Sequence, residues 1–262
     1  MIGRLWMVAV AVFLVLPLVV VAGVSVNEKQ SLIFPPEGFS LGWYGQVFTN
    51  PEWRAALTYS LLLAGLSAAL AMLIALPLAW FGWRWIAPWA RVFQVLGLAP
   101  FLMPPVITAL GFLTFWATLG AYGRFWTAIV SHAIFFTTLP LVTLTIGFAS
   151  IDRALTEAAA TLGANDRTVF HTVVLPLIRP YLISGFAFAF VLSLNEYIVA
   201  YMSVGFTTET RPIKIFNALR YGYTPIMAVV SVVFVLVAVV VFSLIARFGD
   251  LPKLMGAWSG DN

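Results

Sequence analysis

Four stretches of the chain run 26 to 32 residues without a single Asp, Glu, Lys or Arg: 55–83, 92–123, 125–151 and 221–246. A helix needs about 20 mostly apolar residues to cross a bilayer. Each gap therefore holds one span, and none comfortably holds two. Leu5–Val26 adds another apolar run, and the stretch from Tyr181 to Val204 adds a sixth, interrupted only by Glu196. Backbone groups in lipid must be satisfied within the segment, so spans this continuously apolar read as helices. Barrel strands would alternate polar and apolar residues, and these do not.

Composition closes off the other classes. With 62% hydrophobic and 9% charged residues, the 262-residue chain could not cover a water-exposed surface. A soluble enzyme, a nucleic-acid-binding domain and a disordered chain are excluded on this ground. The net charge of +4 is spread over scattered Lys and Arg rather than a basic patch, so it reads as topology-setting, not as nucleic-acid binding. The absence of cysteine removes disulfides and thiolate metal sites.

The expected architecture is all-α, a single transmembrane domain over 1–262 with six helices at about 5–26, 57–82, 92–116, 126–149, 181–203 and 226–246. The first run is longer than a typical signal-peptide core, about 7–15 residues, and reads as a retained span. Pro104-Pro105 makes the third span the one expected to kink. Six spans put both termini on one side. With the termini inside, eight Lys and Arg lie on the cytoplasmic side and six outside, a weak positive-inside bias. Trp6, Trp53, Trp83, Trp85, Trp89 and Trp126 are expected to be interfacial anchors.

The loop from Asp152 to Pro180 is the informative connection. Asp152 can cap a helix rich in strong helix formers, Gly163 suits a left-handed C-cap, and Asn165 or Asp166 can start a second short helix ending at Pro176. Leu155, Ala158, Ala159 and Leu162 fall at i, i+3, i+4, i+7 and form one apolar stripe. Such a stripe can seat a partner protein or lie on the bilayer surface.

Glu157-Ala158-Ala159, three residues, Gly163, nine residues, Val173, one residue, Leu175-Pro176 resembles the EAA loop of ABC importer permease subunits, with Val173 in place of Ile. Trp43-Tyr44, Asn50-Pro51, Met103-Pro104-Pro105, Asn195-Glu196-Tyr197, Arg211–Phe216 and Thr224-Pro225 are similar to the spermidine/putrescine group. The resemblance implies a type I importer permease in the inner membrane. It implies an ATP-coupling role for Glu157, Ala158, Ala159, Leu162, Gly163, Val173, Leu175 and Pro176. It also implies a dimer of ATP-binding subunits, a second permease and an extracytoplasmic solute-binding protein as partners.

The chain itself has no G-x-x-x-x-G-K-[ST] motif around its three lysines, so ATP and Mg are expected in the partner and no cofactor here. Its setting is membrane lipid, with no nucleic acid. Glu196 is the sole charge within a span. With Asn195, Tyr197 and Tyr201 it could attract a cationic, polyamine-like solute, or it could bond a neighbouring helix. His132 reads as a packing or interfacial residue near a helix start, and His171 as water-facing. No metal set or catalytic constellation is expected, which leaves a membrane enzyme as a poor rival and an ATP-independent carrier as a second one.

Overall fold

The computed structural model describes residues 2–85, 88–205, 207–221 and 224–248. Among these the chain is helical, without a strand. In order the helices are α1 (Ile2–Ser25), α2 (Gly42–Thr49), α3 (Pro51–Arg84), α4 (Pro88–Leu102), α5 (Pro105–Thr118), α6 (Phe125–Phe136) and α7 (Thr138–Ala149). There follow α8 (Arg153–Thr161), α9 (Asp166–Val169), a π turn at Phe170–Val174, α10 (Leu175–Asn195), α11 (Ile198–Val204), α12 (Arg211–Tyr221) and α13 (Ile226–Phe248).

Four of the helical stretches are long and apolar enough to cross a membrane, and two bent pairs bring the number to six if each pair is one span. The third expected span is not merely kinked. It breaks by 105° between Leu102 and Pro105. Pro104 and Pro105 both lack an N–H, and Pro104 is extended at the start of α5. The fourth expected span bends by 42° between α6 and α7.

The fifth expected span, 181–203, differs at both ends. Its helix stops at Asn195, Glu196 is extended, and α11 starts anew at Ile198. At the other end Pro176 does not terminate a helix, for the helical stretch runs unbroken over Asp166–Asn195. Pro176 cannot donate to the carbonyl one turn back, and the wider π turn just before it takes up the offset.

By its internal contacts the chain groups into two compact units, 1–59 with 209–240 and 60–208 with 241–262. Two of the three boundaries fall inside α3 and α13, and the third falls between α11 and α12. In the first unit, α1 is almost wholly exposed, and the loop after it folds around the buried Asn27. Asn27 Oδ1 accepts from the Lys29 and Glu37 amides at 3.2 and 3.1 Å, and its carbonyl accepts from Trp43 Nε1 at 2.8 Å. Lys29 and Glu37 also pair through their side chains, and this hydrogen bond holds the Lys29 ammonium above its ordinary pKa. Lys214 of α12 lies 2.9 Å from Glu52 and 3.3 Å from Glu209, with its ammonium 5.3 Å from the Trp53 ring. Trp53 is therefore a buried packing residue, 7% exposed, not an interfacial anchor.

The second unit is built on small residues. Along α3, Ala64, Ala68, Ala71, Ala75 and Ala79 are all fully buried at three- and four-residue spacing. Lipid tails are as apolar as leucine, so helices in membranes associate by close packing, which a small-residue stripe allows. The same logic brings α10 against α7. A Cβ on Gly185 would stand 2.9 Å from the Pro140 Cα, and one on Gly147 would stand 2.6 Å from Tyr181 Cγ. Trp83 stacks on Phe148 at 5.8 Å beside Trp80, so it too joins the core. Trp6, Trp85, Trp89 and Trp126 stay exposed, as anchors would.

Candidate functional site

Two regions of the second unit carry the residues singled out in the sequence. The first is the loop from Asp152 to Pro180. The Asp152 carboxylate accepts from the Ala154 amide at 2.9 Å and starts α8, satisfying a helix-end donor. Gly163 has φ +86°, the left-handed geometry that glycine adopts at least cost, and ends the turn. Asn165 caps α9 by accepting from the Thr168 amide at 2.9 Å.

The residues of the α8 stripe differ in exposure. Ala159 packs inward on the cluster of Phe148, Val169, Val174 and Ile178. Leu155 is 49% exposed and Leu162 is 89% exposed, and Ala158 is exposed between them. Glu157 is exposed too, beside a small crevice shared with Trp80, Trp83, Arg84 and Asp166. Arg84 donates to Asp166 at 2.9 Å, tying the end of α3 to the start of α9. Nothing in the sequence flagged that pair, which joins residues far apart in the chain. Val173 sits in the π turn, and Leu175-Pro176 opens α10, with Leu175 packed on the same cluster as Ala159.

The second region is the break between α10 and α11. Glu196 occupies it in extended backbone, and its side chain is only 10% exposed. Its Oε1 accepts from the Val199 amide at 2.9 Å and its Oε2 from the Ala200 amide at 3.0 Å. The carboxylate therefore caps the new helix, which explains why the expected single span stops here. Oε2 also lies 3.1 Å from Nε2 of His132. The two atoms are close but not aligned as a hydrogen bond, so the contact is chiefly electrostatic. His132 Nδ1 is 2.8 Å from Ser193 Oγ.

His132 is thus neither interfacial nor at a helix start. It is fully buried in the body of α6, between Ser193 and Glu196. Sequence reasoning missed Ser193 and this use of His132. The available signal was a histidine inside an uncharged run, which needs a polar partner. Asn195 donates to the Val191 carbonyl at 2.9 Å. Tyr197 and Tyr201 stack with ring centroids 5.5 Å apart, as their i, i+4 spacing permits. Among the described residues there is no group of three or more His, Asp or Glu side chains fit to hold a metal.

Broken helices of this kind recur in membrane transporters. The comparisons with known proteins agree. Residues 67–250 match the family described as the binding-protein-dependent transport system inner membrane component. The spermidine/putrescine transport system permease protein PotC of Haemophilus influenzae is 30% identical over 248 residues, covering 92% of this chain and 95% of that protein. The putrescine transport system permease protein PotI of Escherichia coli K12 is 31% identical over 224 residues, covering 81% of this chain and 78% of that one. A solved bacterial ABC transporter involved in the import of the acidic polysaccharide alginate has a chain with TM-score 0.73 at 15% identity, covering 94% and 95%. The chain belongs to this family. It is a permease subunit of an ABC importer, a multi-pass protein of the inner membrane.

Proposed function

We propose that this permease forms half of an ATP-driven import pathway for a small polyamine-like cation, delivered by an extracytoplasmic solute-binding protein. The termini and α8 face the cytoplasm. There a dimer of ATP-binding subunits, using ATP and Mg, receives α8 as its coupling helix. A second permease subunit supplies the other half of the pathway. The observation that carries the coupling role is the split of α8, with Ala159 packed inward and Leu155, Ala158 and Leu162 left exposed. A helix held rigidly by one face and bare on the other can pass a push from a partner into α9 and α10.

The polyamine assignment is supported by relatives named as spermidine/putrescine and putrescine permeases, although a sulfate permease is also 30% identical over 240 residues. It is supported also by the residues at the helix break. Tyr197 and Tyr201 stack on one another, Asn195 adds a polar side chain, and Glu196 is the acidic residue next to them in the chain. Such a site favours an ammonium group by charge and cation–π attraction.

The test is reconstitution of the permease with its ATPase and binding protein in liposomes. ATP-dependent uptake of spermidine or putrescine is expected. Uptake of a different solute instead, an amino acid, sugar, anion or metal, would move the substrate assignment and leave the importer intact. Uptake without the ATPase would favour an ATP-independent carrier.

A further inference from the structure

Next to the first region, the second unit carries an apolar cavity of about 440 Å³ between α10, α3 and the end of α13. Met72, Leu182, Phe186, Phe190 and Leu244 are among its walls. A second cavity of about 710 Å³ is lined by Pro176, Arg179, Pro180, Ile183 and Leu244. The two share Ile183 and Leu244, so they form one groove running along α10 toward Arg179. Leu244 is 49% and Phe186 38% exposed, so the groove is open along its side.

The charges sit at one end only. Arg179 is exposed where the apolar stretch of α10 begins. Arg247 follows Leu244 by three residues in α13, which puts it on the same helix face at the same end. Neither arginine has an ion-pair partner among the described residues. Two guanidiniums with no ion-pair partner among the described residues, at the edge of an apolar slab, suit an anion at that depth. Arginine meets phosphate oxygens through paired N–H donors, and basic pockets between spanning helices suit anionic head groups.

We propose that this groove binds one anionic phospholipid, its acyl chain along Phe186, Phe190 and Leu244 and its phosphate between Arg179 and Arg247. A protein helix could fill the apolar part, but it would leave both cations without a counter-charge unless it brought an acid to the same point. The site is independent of which solute the permease moves.

The test is lipid binding to the purified permease–ATPase assembly, read by native mass spectrometry after titration with phosphatidylglycerol or phosphatidylcholine. Wild type is expected to retain phosphatidylglycerol in preference. Each of Arg179→Gln and Arg247→Gln is expected to weaken that retention about fivefold, the equivalent of about 1 kcal/mol per surface charge. Leu244→Trp, at a half-exposed position, is expected to exclude the lipid while leaving the assembly monodisperse. Equal retention of the two lipids, or unchanged retention in the arginine variants, overturns the proposal. So does a second-permease crosslink: the chain has no cysteine, so Leu244→Cys reports cleanly whether protein covers the groove.

Discussion

Nε2 of His132 stands 3.1 Å from Oε2 of Glu196, a fully buried imidazole beside the carboxylate that caps α11. The contact joins α6 to the break between α10 and α11, so two functions meet in one side chain. Glu196 satisfies the amides of a new helix and gives a buried histidine its polar neighbour. Removing one member of a buried polar contact leaves the other less well satisfied, which costs about 1–3 kcal/mol. His132→Ala is therefore expected to lower the thermal midpoint of the purified protein sharply. Glu196→Gln, which keeps one acceptor for the α11 amides, should cost less. The double variant should be milder than the sum by about 0.5–3 kcal/mol, the usual coupling of contacting residues. Strict additivity in this cycle would show that the two do not act together.

At Gly185 α10 packs closely on α7, and the obstacle to a side chain there includes backbone. A methyl group would sit 2.9 Å from the Pro140 Cα and 2.5 Å from Thr143 Oγ1. Thr143 can rotate, but Pro140 cannot yield without moving α7. Overpacking of this kind costs about 1–3 kcal/mol. Gly185→Ala is expected to lower thermal stability by that amount, and Gly185→Val by more. Gly65, with open space where its Cβ would lie inside α3, serves as the control, and Gly65→Ala should stabilise by up to about 1 kcal/mol.

The contrast between those glycines bears on what the sequence could reveal. Uncharged runs were enough to show a polytopic helical membrane protein, because a charge at the centre of a bilayer is costly, but not to show that two of the runs bend into helix pairs. Asp152, Gly163 and Asn165 disclosed their caps, because capping is local and depends on residue type. The break at Glu196 was hidden. A carboxylate in an apolar run reads equally as a pathway charge or as a cap, and only His132, brought in from α6, and the amides of Val199 and Ala200 decide its surroundings. The inward turn of Ala159 was hidden for a related reason. Helical spacing places Ala158, Ala159 and Leu162 on one stripe, but it cannot say where along that stripe the protein ends and open surface begins.

That division of α8 separates coupling from folding. Leu162 is 89% exposed, so Leu162→Asp should change stability by no more than about 0.5 kcal/mol. The same substitution should abolish ATP-driven uptake and release the ATPase on purification. Ala159→Asp, placed on the packed face, should instead lower stability along with activity. Gly163→Ala forces a side chain into φ +86° and should cost about 1 kcal/mol, with partial loss of coupling. Thermal shift and co-purification, run side by side, distinguish the three. If Leu162→Asp retained its ATPase and its uptake, the exposed face of α8 would not be the coupling surface.

The stacked pair of Tyr197 and Tyr201 makes a finer test, because it separates ring from hydroxyl. A cation–π contact needs the aromatic face only, and is worth about 0.5–2 kcal/mol depending on desolvation. Tyr201→Phe should then leave polyamine uptake near the wild-type level. Tyr201→Ala should raise the KM of the reconstituted transporter for polyamine by about fivefold, corresponding to about 1 kcal/mol. Expression and ATPase association should not change, since neither ring is fully buried. If Tyr201→Phe proved as damaging as Tyr201→Ala, the hydroxyl rather than the ring face would matter. The site would then suit a hydrogen-bonding neutral solute better than an ammonium ion.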